Sequence, residues 1–316
     1  MYNEDLKKRF VRDYTGSLNT ANVAATVFNA VEKYETEWNA DLCTKSTEEL
    51  QPVIDEIVGL RSRSKWMTLT ILKEYVKWCI AMKVPGACDG MLHIEAVGLD
   101  KIRHQMVSSP YIFSVLWIRF FDPEGDETID NIYRCYFWMA YGGIDEDDTI
   151  FIRNEDVDFS EMIIRYKTIS VPIYREALPA FRNAVNLTSF VYRHPNYSKT
   201  IRRDRVPGDT IMRGIKAVTK TFTMRATLSK RNIKAVEEGK TDMQLSFYRV
   251  RMSGLFYRIY EMERVSIAPN FSDAALRVMD GKTYSLKGRE KIEHKQNRIE
   301  RDYMEDYQRW KLAFSI

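Results

Sequence analysis

Two short runs of β-forming residues constrain this chain more than any other feature. Residues 162–166 and 169–173 carry Ile163, Ile164, Ile169, Val171 and Ile173 around Thr168, and the sequence on either side is patterned for helices. Strands this close in sequence pair antiparallel, because a parallel pair needs a crossover of about a dozen residues or more. The expectation is a mainly α chain with a small α+β part built on a short antiparallel hairpin, and a central parallel sheet is excluded.

The helical pattern begins at the N-terminus, where residues 1–82 read as helical. The stretch 20–38 is long and free of proline, and 52–60 follows a polar break. Within 66–82, Trp66, Leu69, Leu72, Val76, Cys79 and Met82 recur three or four apart, the period of one helix face. Ser64 is the expected N-cap of that helix, and Pro85 with Gly86 ends it. Further on, 127–141 is an aromatic-rich helix closed by Gly142 and Gly143, and helices are expected at 177–187, 210–221, 229–238, 245–264 and 292–314. With 316 residues the chain has material for two domains, and the boundary falls near residue 100, giving 1–100 and 101–316.

Composition and charge narrow the function. Hydrophobic residues at 45% and charged residues at 29% are globular values. Cys43, Cys79, Cys88 and Cys135 fit neither a zinc nor a redox spacing, so a reducing cytoplasm is expected, with no metal and no cofactor. The first ten residues lack the apolar core of a secretory signal, and the most apolar stretch, 111–121, is too short for a membrane span and contains Arg119. His93, His104 and His194 show no partner spacing. The net charge of +4 says little, but its distribution says more. Residues 193–234 hold twelve Lys or Arg against Asp204 and Asp209, whereas 141–161 holds eight acids against Arg153. A basic stretch interleaved with Tyr192, Tyr197, Phe222 and hydroxyls suits a polyanion, and a solvated basic face explains the same charges equally well.

Four further segments carry a resemblance. Residues 143–159, G-I-D-E-D-D-T-I-F-I-R-N-E-D-V-D-F, keep the length and ending of a stretch that reads about G-L-R-I-S-E-L-L-A-L-R-W-S-D-I-D-F in tyrosine recombinases (phage integrases). Ser170-Val171-Pro172-Ile173 is similar to the strand that follows it in that family. Residues 245–251, L-S-F-Y-R-V-R, resemble the family's H-x-x-R box, and His294 precedes Tyr303 by nine residues, the family's interval from its last histidine to its nucleophile. The N-terminal helices resemble its core-binding (SAM-like) domain, so the resemblance spans nearly the whole chain.

The resemblance implies attack on a DNA phosphodiester by a tyrosine hydroxyl, with two arginines holding the developing negative charge. At the first arginine's position stands Asp145, followed by Glu146, Asp147 and Asp148, which repel a phosphate. The box histidine is Tyr248, whose phenol titrates near ~10 and is a poor proton shuttle at neutral pH. Arg251 survives, and Lys167 stands near the hairpin lysine's place. Tyr303 shares a stripe with Ile299, Trp310 and Phe314, with Tyr307 on its flank, so it reads as a packing residue before it reads as a nucleophile. His294 lacks the usual preceding Leu-Gly.

What the resemblance leaves is a clamp on duplex DNA. The implied phosphate contacts are Arg61, Arg63 and Lys65 on the first domain, and Lys199, Arg202, Arg203, Arg205, Arg225, Lys230, Arg231, Lys234 and Arg251 on the second. The whole pattern looks like the integrase-fold lysogeny repressors of SPbeta-like phages: DNA-binding, without recombinase chemistry, open to homo-oligomers on DNA and to a regulatory protein or peptide. The alternatives are an active recombinase using Tyr303 and an interaction protein that uses the scaffold without DNA.

Overall fold

The computed structural model describes residues 1–58, 62–95, 99–120, 127–167, 169–193, 200–214, 220–267, 270–279, 297 and 300–316, without the side chains of 62–63, 117–120, 127–129, 192–193, 200 and 302. The architecture is mainly helical with two small antiparallel sheets, as the hairpin signal requires. The chain divides into two compact units, Met1–Ile102 with Glu305–Ile316, and Arg103–Met304.

The first unit is built on α1 (Glu4–Tyr14), α2 (Leu18–Trp38), α3 (Thr47–Ile57) and α4 (Ser62–Ala81). Ser17 caps α2, and a reciprocal box between Ser46 and Glu49 starts α3 five residues before the expected 52–60 stretch. Helix α4 begins at Ser62, so Ser64 lies inside the helix and does not cap it. The rings of Phe10, Phe28 and Tyr75 meet edge-on at centroid distances of 5.1 to 5.9 Å in the core. Beside them Lys7 pairs with Glu35, both fully buried, while Glu35 also accepts the Leu42 N–H. The last helix of the chain belongs to this unit, not to the second domain, where the sequence reading puts it. Its Glu305 takes the Lys65 ammonium at 2.6 Å and the Trp66 indole N–H at 3.0 Å.

The second unit begins within α5 (Leu99–Gln105) and continues through α6 (Pro110–Phe120) to α7 (Glu127–Gly142). Every residue of α7 from Ile132 to Tyr141 except Arg134 is buried. Strands β1 (Val157–Asp158), β2 (Ile163–Tyr166) and β3 (Ile169–Pro172) form a sheet in that order, with Ile164 opposite Val171. Helix α8 (Leu178–Asn186) leads to a second ribbon, β4 (Ser189–Arg193) with β5 (Thr200–Asp204), which the sequence reading misses. Then come α9 (Thr221–Glu237), α10 (Phe247–Arg264), α11 (Phe271–Met279), a π-helical turn at Glu300–Met304 and α12 (Glu305–Phe314). The helix expected at 210–221 is absent from the described part of that stretch. Residues 209–211 are stitched to 152–154 instead, through Asn154 N–H to Asp209 O at 2.7 Å and Ile211 N–H to Ile152 O at 2.9 Å.

Helices α7 and α10 pack without side-chain separation at one point. A Cβ on Gly254 would stand 1.9 Å from the Tyr141 carbonyl oxygen, so only glycine permits this approach. One turn later Arg258 donates to the Gly142 carbonyl at 2.5 Å and to its own helix at Gly254, placing a cation on the negative end of α7. Gly143 turns the chain at φ +106, where a Cβ would collide with the Arg258 guanidinium. This contact fixes where the next residues, the acidic run, stand relative to α10.

Candidate nucleic-acid interface

The acidic run does not stand free. Asp145 Oδ1 takes Arg251 Nη2 of α10 at 2.7 Å. Glu146 accepts two N–H groups of Arg225 from α9, at 2.5 and 3.1 Å, together with the Tyr136 hydroxyl of α7. Asp148 takes Lys167 Nζ at 2.7 Å. Lys167 sits at the turn between β2 and β3 with a left-handed φ of 53°, and its ammonium also lies over the Tyr166 ring, 4.8 Å from the centroid. Three carboxylates therefore hold three cations drawn from two helices and the hairpin. Glu146 raises the Arg225 pKa, and Asp148 raises that of Lys167, followed in each case by weaker contributions from tyrosine neighbours.

Arg251 is the cation at the centre of this arrangement. Its side chain is only 19% exposed, and its Nε is buried with no hydrogen-bond partner. Seven residues on, Arg258 is depressed by burial and has no carboxylate partner among the described residues. The expected role of Arg251 as a free phosphate ligand gives way to a paired one, because Asp145 occupies one edge of its guanidinium. Tyr248, at the histidine's place, is 41% exposed on the first turn of α10. Tyr303 is half-buried in the π-helical turn, while Tyr307 and Trp310 on α12 are fully buried and stacked, so Tyr307 is core and not flank. His294, Arg61 and Lys199 lie outside the described residues, as does the side chain of Arg63.

The remaining basic residues separate into structural and open ones. Arg205 is buried at 7% exposure and donates to four backbone carbonyls, those of Ala184, Leu187, Ile211 and Arg213, at 2.7 to 3.2 Å. Burial lowers its pKa to about 10. Its expected phosphate contact is therefore replaced by a structural task, tying α8 and the loop after β5 together. Lys65, 13% exposed, is held by Glu305, and Arg231 is held by the buried Asp130 with its guanidinium over the Tyr133 ring. Arg202 and Arg203 on β5 and Lys230 on α9 are exposed and carry no ion pair among the described residues, and Lys234 meets Glu238 at 3.5 Å. Among the described residues no cluster of His, Cys, Asp or Glu could hold a metal ion, and no helix is long and apolar enough to cross a membrane.

Comparison with known proteins supports the first unit directly. Residues 1–81, which span α1 to α4, match the family described as MrpR, N-terminal core-binding domain. No curated protein matches the sequence. Among solved structures, the chain is similar to XerA recombinase, at 14% identity over 89% of this chain and 99% of that one, with a TM-score of 0.36. It is similar to the Tn1549 transposon integrase in complex with circular intermediate DNA, at 8% identity over 94% and 98%, TM-score 0.37. It is also similar to a lambda integrase dimer bound to a COC′ core site, at 12% identity over 91% and 97%, TM-score 0.32.

Proposed function

We propose that this chain binds duplex DNA through a recombinase-like scaffold without strand-transfer chemistry, and acts in the cytoplasm as a phage-type transcriptional repressor of lysogeny. The observation that carries the reading is the set of carboxylate–cation pairs Asp145–Arg251, Glu146–Arg225 and Asp148–Lys167. A phosphoryl-transfer site needs its cations unpaired and aimed at the nonbridging oxygens, where they act in a water-poor site at no reorganisation cost. Here those cations are already neutralised, and the adjoining carboxylates would repel the scissile phosphate. No histidine stands at the box position to move a proton.

Binding survives this loss because it needs less. Counterion release rewards any cation that reaches a phosphate. Arg202 and Arg203 project from a two-stranded ribbon, a shape that the major groove of B-DNA admits, and Lys230 and Lys234 line one face of α9. The match of residues 1–81 to a core-binding family supports a second DNA-facing surface. The test is selection from random duplexes, followed by titration of the winning sequence at several salt concentrations. Four phosphate contacts correspond to a log–log slope of about −3 to −4. A flat salt response or no enrichment would favour a scaffold that serves protein partners.

A further inference from the structure

The second unit contains a cavity of about 670 Å³ between α7, α9 and the start of α10, which neither DNA binding nor the paired cations explains. Its size falls in the range of pockets that enclose small organic ligands, roughly 300 to 1,000 Å³. The walls are apolar: Leu228, Leu245 and Phe247 are buried along them, and Ile233, Val236 and Tyr248 line the same space while remaining 37% to 55% exposed. Large apolar side chains gathered around one concavity, and not scattered singly, mark a surface that something covers. The lining positions of α9, Arg225, Leu228, Ser229, Asn232, Ile233, Val236 and Glu237, recur at helical spacing, and Lys230 and Lys234 are not among them.

Its charges are asymmetric. Arg225 at the margin is neutralised by Glu146, and Asn232 is committed to the Met243 carbonyl at 2.7 Å. Arg249, on the first turn of α10, lines the same cavity, and its guanidinium donates to the Gln244 carbonyl at 2.7 Å. Among the described residues no carboxylate pairs with it, including Glu237 on the same lining. Burial alone lowers its pKa, with no acid nearby to restore it. A half-buried guanidinium at an apolar concavity is a group whose ligand is an anion, since pairing recovers the solvation that burial removed.

We propose that this cavity binds a small amphipathic organic anion, its carboxylate or phosphate on Arg249 and its apolar body against Leu228, Ile233, Val236 and Phe247. The proposal goes beyond DNA recognition and stands whether or not the chain binds DNA.

The test uses the full chain and two fluorescent probes of nearly equal apolar body, 8-anilinonaphthalene-1-sulfonate and the uncharged N-phenyl-1-naphthylamine. The sulfonate should bind at one saturable site per chain. Arg249→Gln should weaken it about tenfold, the usual order for one charge-assisted contact, and leave the neutral probe within about twofold. Val236→Trp, which fills the cavity from an exposed position, should abolish both. Octanoate and octyl phosphate should each displace the sulfonate, whichever head group is natural, and octanol should do so far less well. Non-saturating binding, or binding indifferent to Val236→Trp, places the probe elsewhere and overturns the proposal. Should Arg249→Gln fail to fold, the sulfonate-to-neutral and octanoate-to-octanol ratios in the parent protein decide, and ratios near one overturn the anion assignment. Probe binding that appears only on dilution, as a dimer dissociates by sedimentation, assigns the cavity to a second copy of the chain and overturns the proposal as well.

Discussion

Arg205→Met separates the structural reading of this arginine from a DNA-binding one. The guanidinium makes four hydrogen bonds to backbone carbonyls, two of them, to Ala184 and Ile211, in fully buried surroundings. Bonds from a charged donor contribute roughly 1.5 to 3 kcal/mol each, so the four together supply on the order of 6 to 12 kcal/mol. Against this stands the cost of burying the charge. Burial takes the pKa from 12.5 to about 10, which corresponds to roughly 3 kcal/mol. The hydrogen bonds win, and the methionine variant, which also orphans the carbonyls, should lose about 3 to 5 kcal/mol. Urea unfolding followed by circular dichroism reads this as a lower midpoint at unchanged slope. Arg205→Lys keeps the charge but not the fork, and should fall between the two. A loss below about 1 kcal/mol for methionine, or lysine equal to arginine, would refute the reasoning.

Three further outcomes follow from the same contacts. Asp145→Asn releases Arg251 from its 2.7 Å pair, so DNA affinity at low salt should rise several-fold and the log–log salt slope should steepen by about 0.9; an unchanged slope sinks the idea that Asp145 withholds this arginine. Reversing charge at Arg202 and Arg203, with Arg205 kept, should weaken DNA binding and flatten the slope by about two phosphates, whereas parental binding would make the ribbon a solvated face. Burial raises Glu35 from its ordinary 4.5 to about 7, against the pull of Lys7. Between those values the folded chain retains a proton that the unfolded chain has released, so this group's contribution to stability is present at low pH and lost as pH rises from about 4.5 to 7. Glu35→Gln, which keeps an acceptor for the Leu42 N–H, should remove that slope from the urea midpoints, and a profile parallel to the parent's would contradict it.

The parts of the fold legible in the sequence are those whose apolar residues recur at a fixed period. The hairpin at Ile163–Tyr166 and Ile169–Pro172 and the helix Phe247–Arg264 lie within a few residues of their expected places. Ribbon β4–β5 escaped because β5 reads Thr-Ile-Arg-Arg-Asp, with one apolar residue and no alternation to reveal a strand. The helix expected at 210–221 is lost at its start because Asp209 and Ile211 hydrogen-bond to Asn154 and Ile152, with Ile211 and Met212 buried beside them, a long-range contact with no local signal. For the site, Asp145 and Tyr248 were legible as departures from a motif, whereas Arg251 read as a phosphate contact and its pairing with Asp145 came only with the structure. The roles of Arg205, Lys65 and Arg258 were not. Composition sees twelve similar cations, and only tertiary structure decides which of them carbonyls or carboxylates consume.

The proposal that this chain lacks strand-transfer chemistry is tested most directly on the duplex that the selection yields. The site is synthesised with a nick beside each candidate phosphate, so that any cleavage releases a short fragment and traps the protein. Products are then resolved on a denaturing gel. The expected result is a retarded complex under native conditions and no covalent species under denaturing ones, with Tyr303→Phe binding like the parent. A Tyr303-dependent covalent adduct would contradict the account, because it would require the cations held by Asp145, Glu146 and Asp148 to serve the phosphate after all.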